Sequence, residues 1–312
     1  MIRERLRIMF RYHMIALLLA TILEVFIGRI YSIWSPFDLV KKWIKHLDRA
    51  LLGDELILLE PAKQKSFGMW LVVLVLTPVF VLIVFFTVLA YDISPIIGVI
   101  FEIICSYLCL DANYNYYTSR EIVSAYYGDG IEEARKEAST FTGVDASDMD
   151  EKELSELVTT KVANEAADSS VSPLFVMFLF GPVGGFLYRA IDLMDSIVGH
   201  HDKRYEYFGY YPARLNQIVD YIPGRFSGMV ALFCARHTFG GFNGRNARYI
   251  HLRDKYKAIS AFAGALEVSL KDGTIGDDDK TIEPKDIKKA AGLHRNMFIT
   301  CQIIFIILLV FF

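Results

Sequence analysis

Residues 68–91 read GMWLVVLVLTPVFVLIVFFTVLAY. These twenty-four almost wholly apolar residues make roughly 36 Å of helix, enough to cross a hydrocarbon core. Pro78 lies inside and is expected to kink the span. Asp92-Ile93-Ser94-Pro95 then reads as a turn, with Ser94 as the cap of a new helix and Pro95 in its first turn. Ile96–Leu110 returns as a hairpin partner and carries Glu102 into the span. This pair decides the fold class: all-α, a polytopic integral membrane protein with about four to five membrane-embedded helices and amphipathic cytoplasmic helices. The whole chain agrees, being 54% hydrophobic over 312 residues with a mean hydropathy of +0.34, more apolar than a soluble domain of this size. The lipid bilayer is therefore one expected partner. A net charge of -3 offers no basic field for nucleic acid, which drops out as a partner.

Before the hairpin, Arg3, Arg5, Arg7 and Arg11 precede the apolar segment Met14–Ile30. No small-residue cleavage site follows and Glu24 interrupts the run, so it reads as a retained membrane segment. Glu24 is either functional or paired with Arg29 near the interface. Asp38–Leu59 places Leu39, Val40, Trp43, Ile44, Leu47 and Leu51 at helical spacing with lysines between, as in an amphipathic helix lying on the membrane. The turn at Asp92 has no Lys or Arg, whereas Lys41, Lys42, Lys45 and Arg49 precede it and Arg120, Arg135 and Lys136 follow. The positive-inside rule puts that turn outside and both flanks in the cytoplasm. The basic N-terminus also belongs inside, which conflicts with a full crossing by Met14–Ile30 and leaves a re-entrant or interfacial segment as the alternative.

Residues 111–167 read as a polar helical insertion within one domain spanning 1–312. A short helix starts at Asp129-Gly130, with Glu132 and Lys136 placed to pair at i,i+4, and Gly143 ends it. Ser147–Glu151 is a capping signature, and Leu154, Leu157, Val158 and Val162 share one face of the next helix. Ser172–Ala190 is apolar but carries Gly181-Pro182 and Gly184-Gly185, so it is either a full span or a broken, re-entrant helix. Phe226–Ala235 is too short to span. Arg236–Leu252 is a basic, Gly-rich loop, and Ala258–Leu270 is a small-residue helix. Asp277-Asp278-Asp279 is an acidic turn, solvated or cation-binding. Lys285–Gly292 leads into Met297–Phe312, whose roughly 24 Å of helix is marginal for a span. Cys105, Cys109, Cys234 and Cys301 lie in apolar surroundings without zinc-ligand spacing. The P-loop, GxSxG, HExxH and GxGxxG patterns are all absent, so any nucleotide site is not of a common soluble type.

Charge and aromatic residues crowd most densely in the polar core motif at residues 188–225. Asp192, Asp195, Asp202, Glu206 and Asp220 supply carboxylates, and Arg189, Lys203, Arg204, Arg214 and Arg225 supply positive charge. Guanidinium forks match phosphate oxygens, so these bases suit a phosphorylated or acidic ligand. The competing reading is that they anchor the chain at lipid headgroups. Asp195 has the alternative of a salt bridge to Arg189 or Arg214.

The order of residues here carries a family resemblance. It runs through Val162-Ala163-Asn164-Glu165, Asp168, Ser172-Pro173-Leu174-Phe175, Gly184, Leu187-Tyr188-Arg189-Ala190 and Met194-Asp195-Ser196-Ile197-Val198-Gly199. It continues with Arg204-Tyr205, Phe208-Gly209, Ala213-Arg214-Leu215 and Ile222-Pro223-Gly224-Arg225. This set resembles the CobD/CbiB family of cobalamin biosynthesis proteins. Thinner matches at Glu24, Gly28, Glu133-Ala134-Arg135, Gly143, Phe262–Leu266 and Ile275-Gly276-Asp277 extend it along most of the chain.

The resemblance implies a multi-pass protein of the inner membrane with adenosylcobinamide-phosphate synthase activity. Such an enzyme is an acid–amine ligase that joins adenosylcobyric acid, a corrinoid, to aminopropanol or its phosphate, using ATP and Mg2+. It implies Asp195, Asp168 and Glu165 as catalytic groups for metal or amine contacts, with Asp195 as the metal candidate. It implies Arg204, Tyr205, Arg214, Arg225 and Ser196 for substrate, and leaves a homo-oligomer open. Three positions depart from the family pattern. Ser35-Pro36 stands where the family has His-Pro, Ile250-His251-Leu252-Arg253-Asp254 where it has His-Pro-Ser-Pro-Asn, and Asn164-Glu165 reverses its Glu-Asn order. The missing histidines and the Gly181-Pro182 step suit the alternative, a non-catalytic membrane sensor like the AmpE-like regulators. Asp195-Ser196 and Ala213-Arg214-Leu215 favour the synthase.

Overall fold

Ser94 ends one helix and begins the next. Its extended backbone (φ -169°, ψ 142°) stops α3 (Pro61–Ile93), and its hydroxyl accepts from the Ile96 N–H at the start of α4 (Pro95–Leu108). That cap, with Pro95 at the first position, makes the predicted hairpin. The structure, a computed structural model, describes residues 2–28, 35–53, 60–199, 204–238, 258–271, 273–276 and 280–311. Arg29, Asp202, Lys203, residues 54–59 and 239–257, and Asp277-Asp278-Asp279 lie outside the described residues. That range includes the expected departure at residues 250–254.

α3 runs for 33 residues, and only 11% of its apolar window is buried. Phe80, Val81, Leu82 and Phe85 face outward, as expected where lipid rather than protein solvates the side chains. Its inner face buries Gln64, Gly68, Leu71 and Val75. Gly68 is required there, since a Cβ would sit 2.0 Å from the Phe208 carbonyl oxygen.

α1 (Ile2–Ile27) packs along α4 and buries Met14, Leu17, Ala20 and Glu24. The two buried carboxylates of this layer are both engaged. Glu24 accepts from the Asn113 backbone N–H at 2.9 Å. Glu102 contacts His13 Nδ1 and accepts from the Tyr91 hydroxyl at 2.6 Å. α2 (Pro36–Leu52), capped by Ser35, lies against α3 and α8. It buries Phe37, Ile44, Leu47 and Leu52, while Leu39 and Trp43 of the predicted stripe face outward.

The polar insertion is α5 (Ala112–Gly128), α6 (Ile131–Thr142) and α7 (Glu151–Ala166). α5 and α7 both pack on α12 (Pro284–Phe311), and the predicted face of α7 buries Leu154, Val158 and Val162. Asp150 and Glu153 form the expected capping box, and Gly143 ends α6 with φ 75°. The expected i,i+4 pair is replaced by two i,i+3 pairs, Glu132–Arg135 at 2.7 Å and Glu133–Lys136 at 2.8 Å. Both spacings put side chains side by side on a helix, and Arg135 is also drawn to the Met149 carbonyl.

A π turn, Ala167–Val171, joins α7 to α8 (Ser172–Val198). α8 is interrupted where the sequence suggested, at Gly181 (φ 64°, ψ -160°). α9 (Tyr210–Val219) and α10 (Tyr221–Thr238) meet at 51°. α11 (Ala258–Leu266) leads to a small bridge between Leu270 and Ile275. α12 joins the two expected C-terminal pieces into one helix of 28 residues, which removes the marginal length. Among the described residues every regular element is helical. Among the described residues five stretches are long and apolar enough to cross a membrane: Phe10–Ile27, Pro61–Ile93, Pro95–Gly128, Glu151–Val198 and Pro284–Leu308. The bent α9–α10 pair is a sixth if counted as one span. The protein is thus an all-α, multi-pass membrane protein.

Candidate functional site

The π turn builds the site. Its five residues, Ala167-Asp168-Ser169-Ser170-Val171, include three short polar side chains that compete with the backbone for hydrogen bonds. Ser169 Oγ donates back to the Glu165 carbonyl at 2.8 Å. A widened turn leaves backbone oxygens in need of donors, and the Asp111 N–H supplies one to the Ser169 carbonyl at 3.1 Å. Asn115 Nδ2 adds a bond to Ser169 Oγ at 2.8 Å, and Ser170 Oγ pairs with His294 Nε2 at 2.8 Å. The start of α5 is thereby held against the α7–α8 junction.

That contact places Asp111 in front of Arg189. The guanidinium lies 2.9 Å from Asp111 Oδ2 and 3.6 Å from Asp192 Oδ2, with its carbon 5.7 Å from the centre of the Phe37 ring. Lys161 meets Glu165 at 2.5 Å one helical turn along α7. Asp220 Oδ1 accepts from the Ser172 and Tyr188 hydroxyls, each at 3.2 Å. Asn216 on α9 donates to Asp195 Oδ2 on α8 at 2.7 Å.

These groups surround a cleft of about 1240 Å³. Eight acidic side chains line it against three basic ones, Lys41, Lys161 and Arg189. Ile83, Phe86, Phe101, Ile104 and Leu108 form an apolar wall.

The profile of the family described as CobD/Cbib protein matches residues 17–294. The chain belongs to the CobD/Cbib family. A Clostridium perfringens relative named "Cobalamin biosynthesis protein CobD" is 26% identical over 302 residues, covering 90% of this chain and 93% of the relative. A Brucella melitensis protein of the same name is 31% identical over 270 residues, covering 82% and 81%. A Pyrococcus abyssi "Probable cobalamin biosynthesis protein CobD" is 32% identical over 180 residues, covering 56% and 59%. No solved structure matches the chain.

In this CobD/Cbib chain the three expected catalytic carboxylates, Glu165, Asp168 and Asp195, line one cleft together with Ser196. Asp195 takes Asn216 as its partner rather than Arg189 or Arg214. Arg189 and Asp195 are six residues apart on one helix and point to different faces, whereas Asp192 at i+3 stands beside Arg189. The four other expected substrate residues lie elsewhere. Arg204 bonds Asp48 at 3.3 Å and the Gly53 carbonyl at 2.9 Å, and the Tyr205 hydroxyl donates to Asp48 Oδ2 at 3.0 Å. Burial opposes the Arg204 charge, but the Tyr205 and Asp48 oxygens outweigh it and hold the guanidinium above its ordinary value. Burial likewise raises the Tyr205 phenol, with the Arg204 contact pulling the other way. Arg214 is exposed and reaches Gln217 at 3.3 Å. Arg225 bonds the Tyr221 carbonyl at 2.7 Å and covers the Tyr221 ring at 3.4 Å.

Ser35 and Pro36, which stand where the resemblance expects His-Pro, sit on the cleft wall. Among the described residues no group of three or more His, Cys, Asp or Glu side chains is close enough to hold a metal ion alone. Sequence reasoning missed Asp111, Asn216 and the π turn. The polarity step from Leu110 to Asp111 and the Ser169-Ser170 pair were the available signals.

Proposed function

We propose that this chain forms an amide bond in cobalamin biosynthesis, joining a corrinoid carboxylate to aminopropanol or its phosphate. One observation carries the reading: a single large cleft that pairs an apolar wall with the expected catalytic carboxylates. Its about 1240 Å³ exceeds the roughly 300–1,000 Å³ of ordinary small-molecule pockets and suits a macrocycle. The apolar wall suits the hydrocarbon face of such a ring. The acid surplus suits an incoming amine, which arrives as an ammonium ion.

Asp195, oriented by Asn216, holds that ammonium and takes one proton from it, freeing the nitrogen lone pair to attack the activated carboxyl carbon, whose C–O bond to the activating group breaks as that group leaves with the oxygen. Arg189 stays paired with Asp111 and Asp192 and keeps the carboxylates of α5 and α8 in register. ATP and Mg2+, when bound, would supply the activation of the substrate carboxylate. Mg2+ would find hard oxygens in the Asp168 carboxylate and the Asn216 amide on the cleft wall, and this ion keeps several waters and shares its shell with phosphates rather than needing a full protein cage. The inner membrane is the location that goes with this reading.

The test is direct. Detergent-purified protein is given adenosylcobyric acid, aminopropanol phosphate, ATP and Mg2+, and the amide product is sought by mass spectrometry. Asp195→Asn should lower turnover by about 10²-fold or more without moving the melting temperature. If the wild-type protein forms no product, the non-catalytic sensor reading takes its place.

A further inference from the structure

The cleft contains an imbalance. Of its three basic side chains, Arg189 and Lys161 are already paired with carboxylates. Any phosphate on a substrate needs positive charge elsewhere. Lys41 points to where it is. It lies at the cleft edge on α2, and Lys45 and Arg49 follow it at i+4 and i+8 on the same face. Lys45 and Arg49 line a second cavity of about 490 Å³, together with Asp48, Tyr205, Ile197 and Ser196. Ser196 lines both cavities, so they adjoin at the end of α8.

Among the described residues the one acid in that second cavity is engaged elsewhere. Asp48 accepts from Arg204 and Tyr205 instead. Among the described residues no carboxylate pairs with Lys41, Lys45 or Arg49. Three like charges in line repel one another, and a bound anion relieves that repulsion. Their spacing along the helix is about 12 Å, the scale of a phosphorylated small molecule.

We infer that Lys41, Lys45 and Arg49, with Ser196 at the junction, bind the phosphate end of a soluble phosphorylated co-substrate whose other end reaches the acid-lined cleft. This rests on the ligase reading and adds to it the place where phosphate is held. It also divides the labour between the two cavities, with amine and metal chemistry among the acids and phosphate on α2. A lipid phosphate is the competing source of the same chemistry, because α2 lies beside the lipid-facing α3.

The test uses the full chain in detergent and calorimetric titration with two probes, aminopropanol phosphate and ATP with Mg2+. The double variant Lys45→Gln/Arg49→Gln should weaken at least one probe by about tenfold or more. Lys45→Arg should retain binding, and Lys42→Gln, which lines neither cavity, should change nothing. Unfolding curves confirm that the variants are folded. Equal affinity of wild type and double variant for both probes overturns the inference, as does a wild type that binds neither. Native mass spectrometry of retained phosphatidylglycerol gives the lipid arm. Loss of that lipid alone in the double variant, with both soluble probes unaffected, also overturns it. None of these titrations needs amide product, so binding lost without turnover keeps this site while refuting the ligase. Turnover with an unaltered KM for both phosphates in the double variant does the reverse.

Discussion

The α3–α4 hairpin and the α5–α8 cleft are built on opposite rules. The hairpin turns Phe80, Val81, Leu82 and Phe85 outward and owes its shape to local signals, a cap at Ser94 and a proline at residue 95. The cleft turns charge inward, and its shape depends on partners distant in sequence. Arg189 meets Asp111, 78 residues away, and Ser170 meets His294, 124 residues away. A lipid-facing surface tolerates almost any apolar residue of similar size. A buried charge tolerates almost nothing, since losing one partner strands the other.

That contrast sets the order of expected effects. Arg189→Met strands Asp111 and Asp192 and should cost about 3–5 kcal/mol, read as a large loss of stability in a detergent unfolding titration. Adding Asp111→Asn should recover part of the loss, and a double variant no better than the single would show that the pair is not the source. Gly181→Ala places a Cβ at φ 64°, ψ -160°, a glycine-only region, and should cost about 1–3 kcal/mol in the same titration. Asp150→Ala removes the capping box of α7 and should cost about 1 kcal/mol, visible as a lower melting temperature. Phe85→Leu on the lipid face should fall within about 0.5 kcal/mol. A drop as large as that of Arg189→Met would mean that the outward face of α3 is packed against protein.

The same contrast explains what the sequence disclosed. Ser94-Pro95, Gly143, the Asp150 cap and the Gly181-Pro182 break were all legible, because each acts within a few residues of itself. The hairpin and the membrane class followed from hydropathy alone. At the cleft, Glu165, Asp168, Asp195 and Ser196 were picked out and line the same cavity. Their partners were not legible. Nothing in the run after Leu110 says that the Asp111 N–H will meet the Ser169 carbonyl, because that bond depends on how α5 docks on the α7–α8 junction. Arg214 and Arg225 looked equivalent to Arg189 as isolated letters. Only packing separates a guanidinium sealed between two carboxylates from ones that settle on Gln217 and Tyr221.

The π turn at Ala167–Val171 also fixes a rotational phase. An extra residue lodged in one turn advances everything before it by about 100° relative to everything after it. Excising a single residue there would leave both flanking helices intact as helices, yet swing Glu165 and Lys161 away from Arg189. The chain is therefore far more sensitive to the number of residues between Glu165 and Ser172 than to which apolar residues cover its membrane surface.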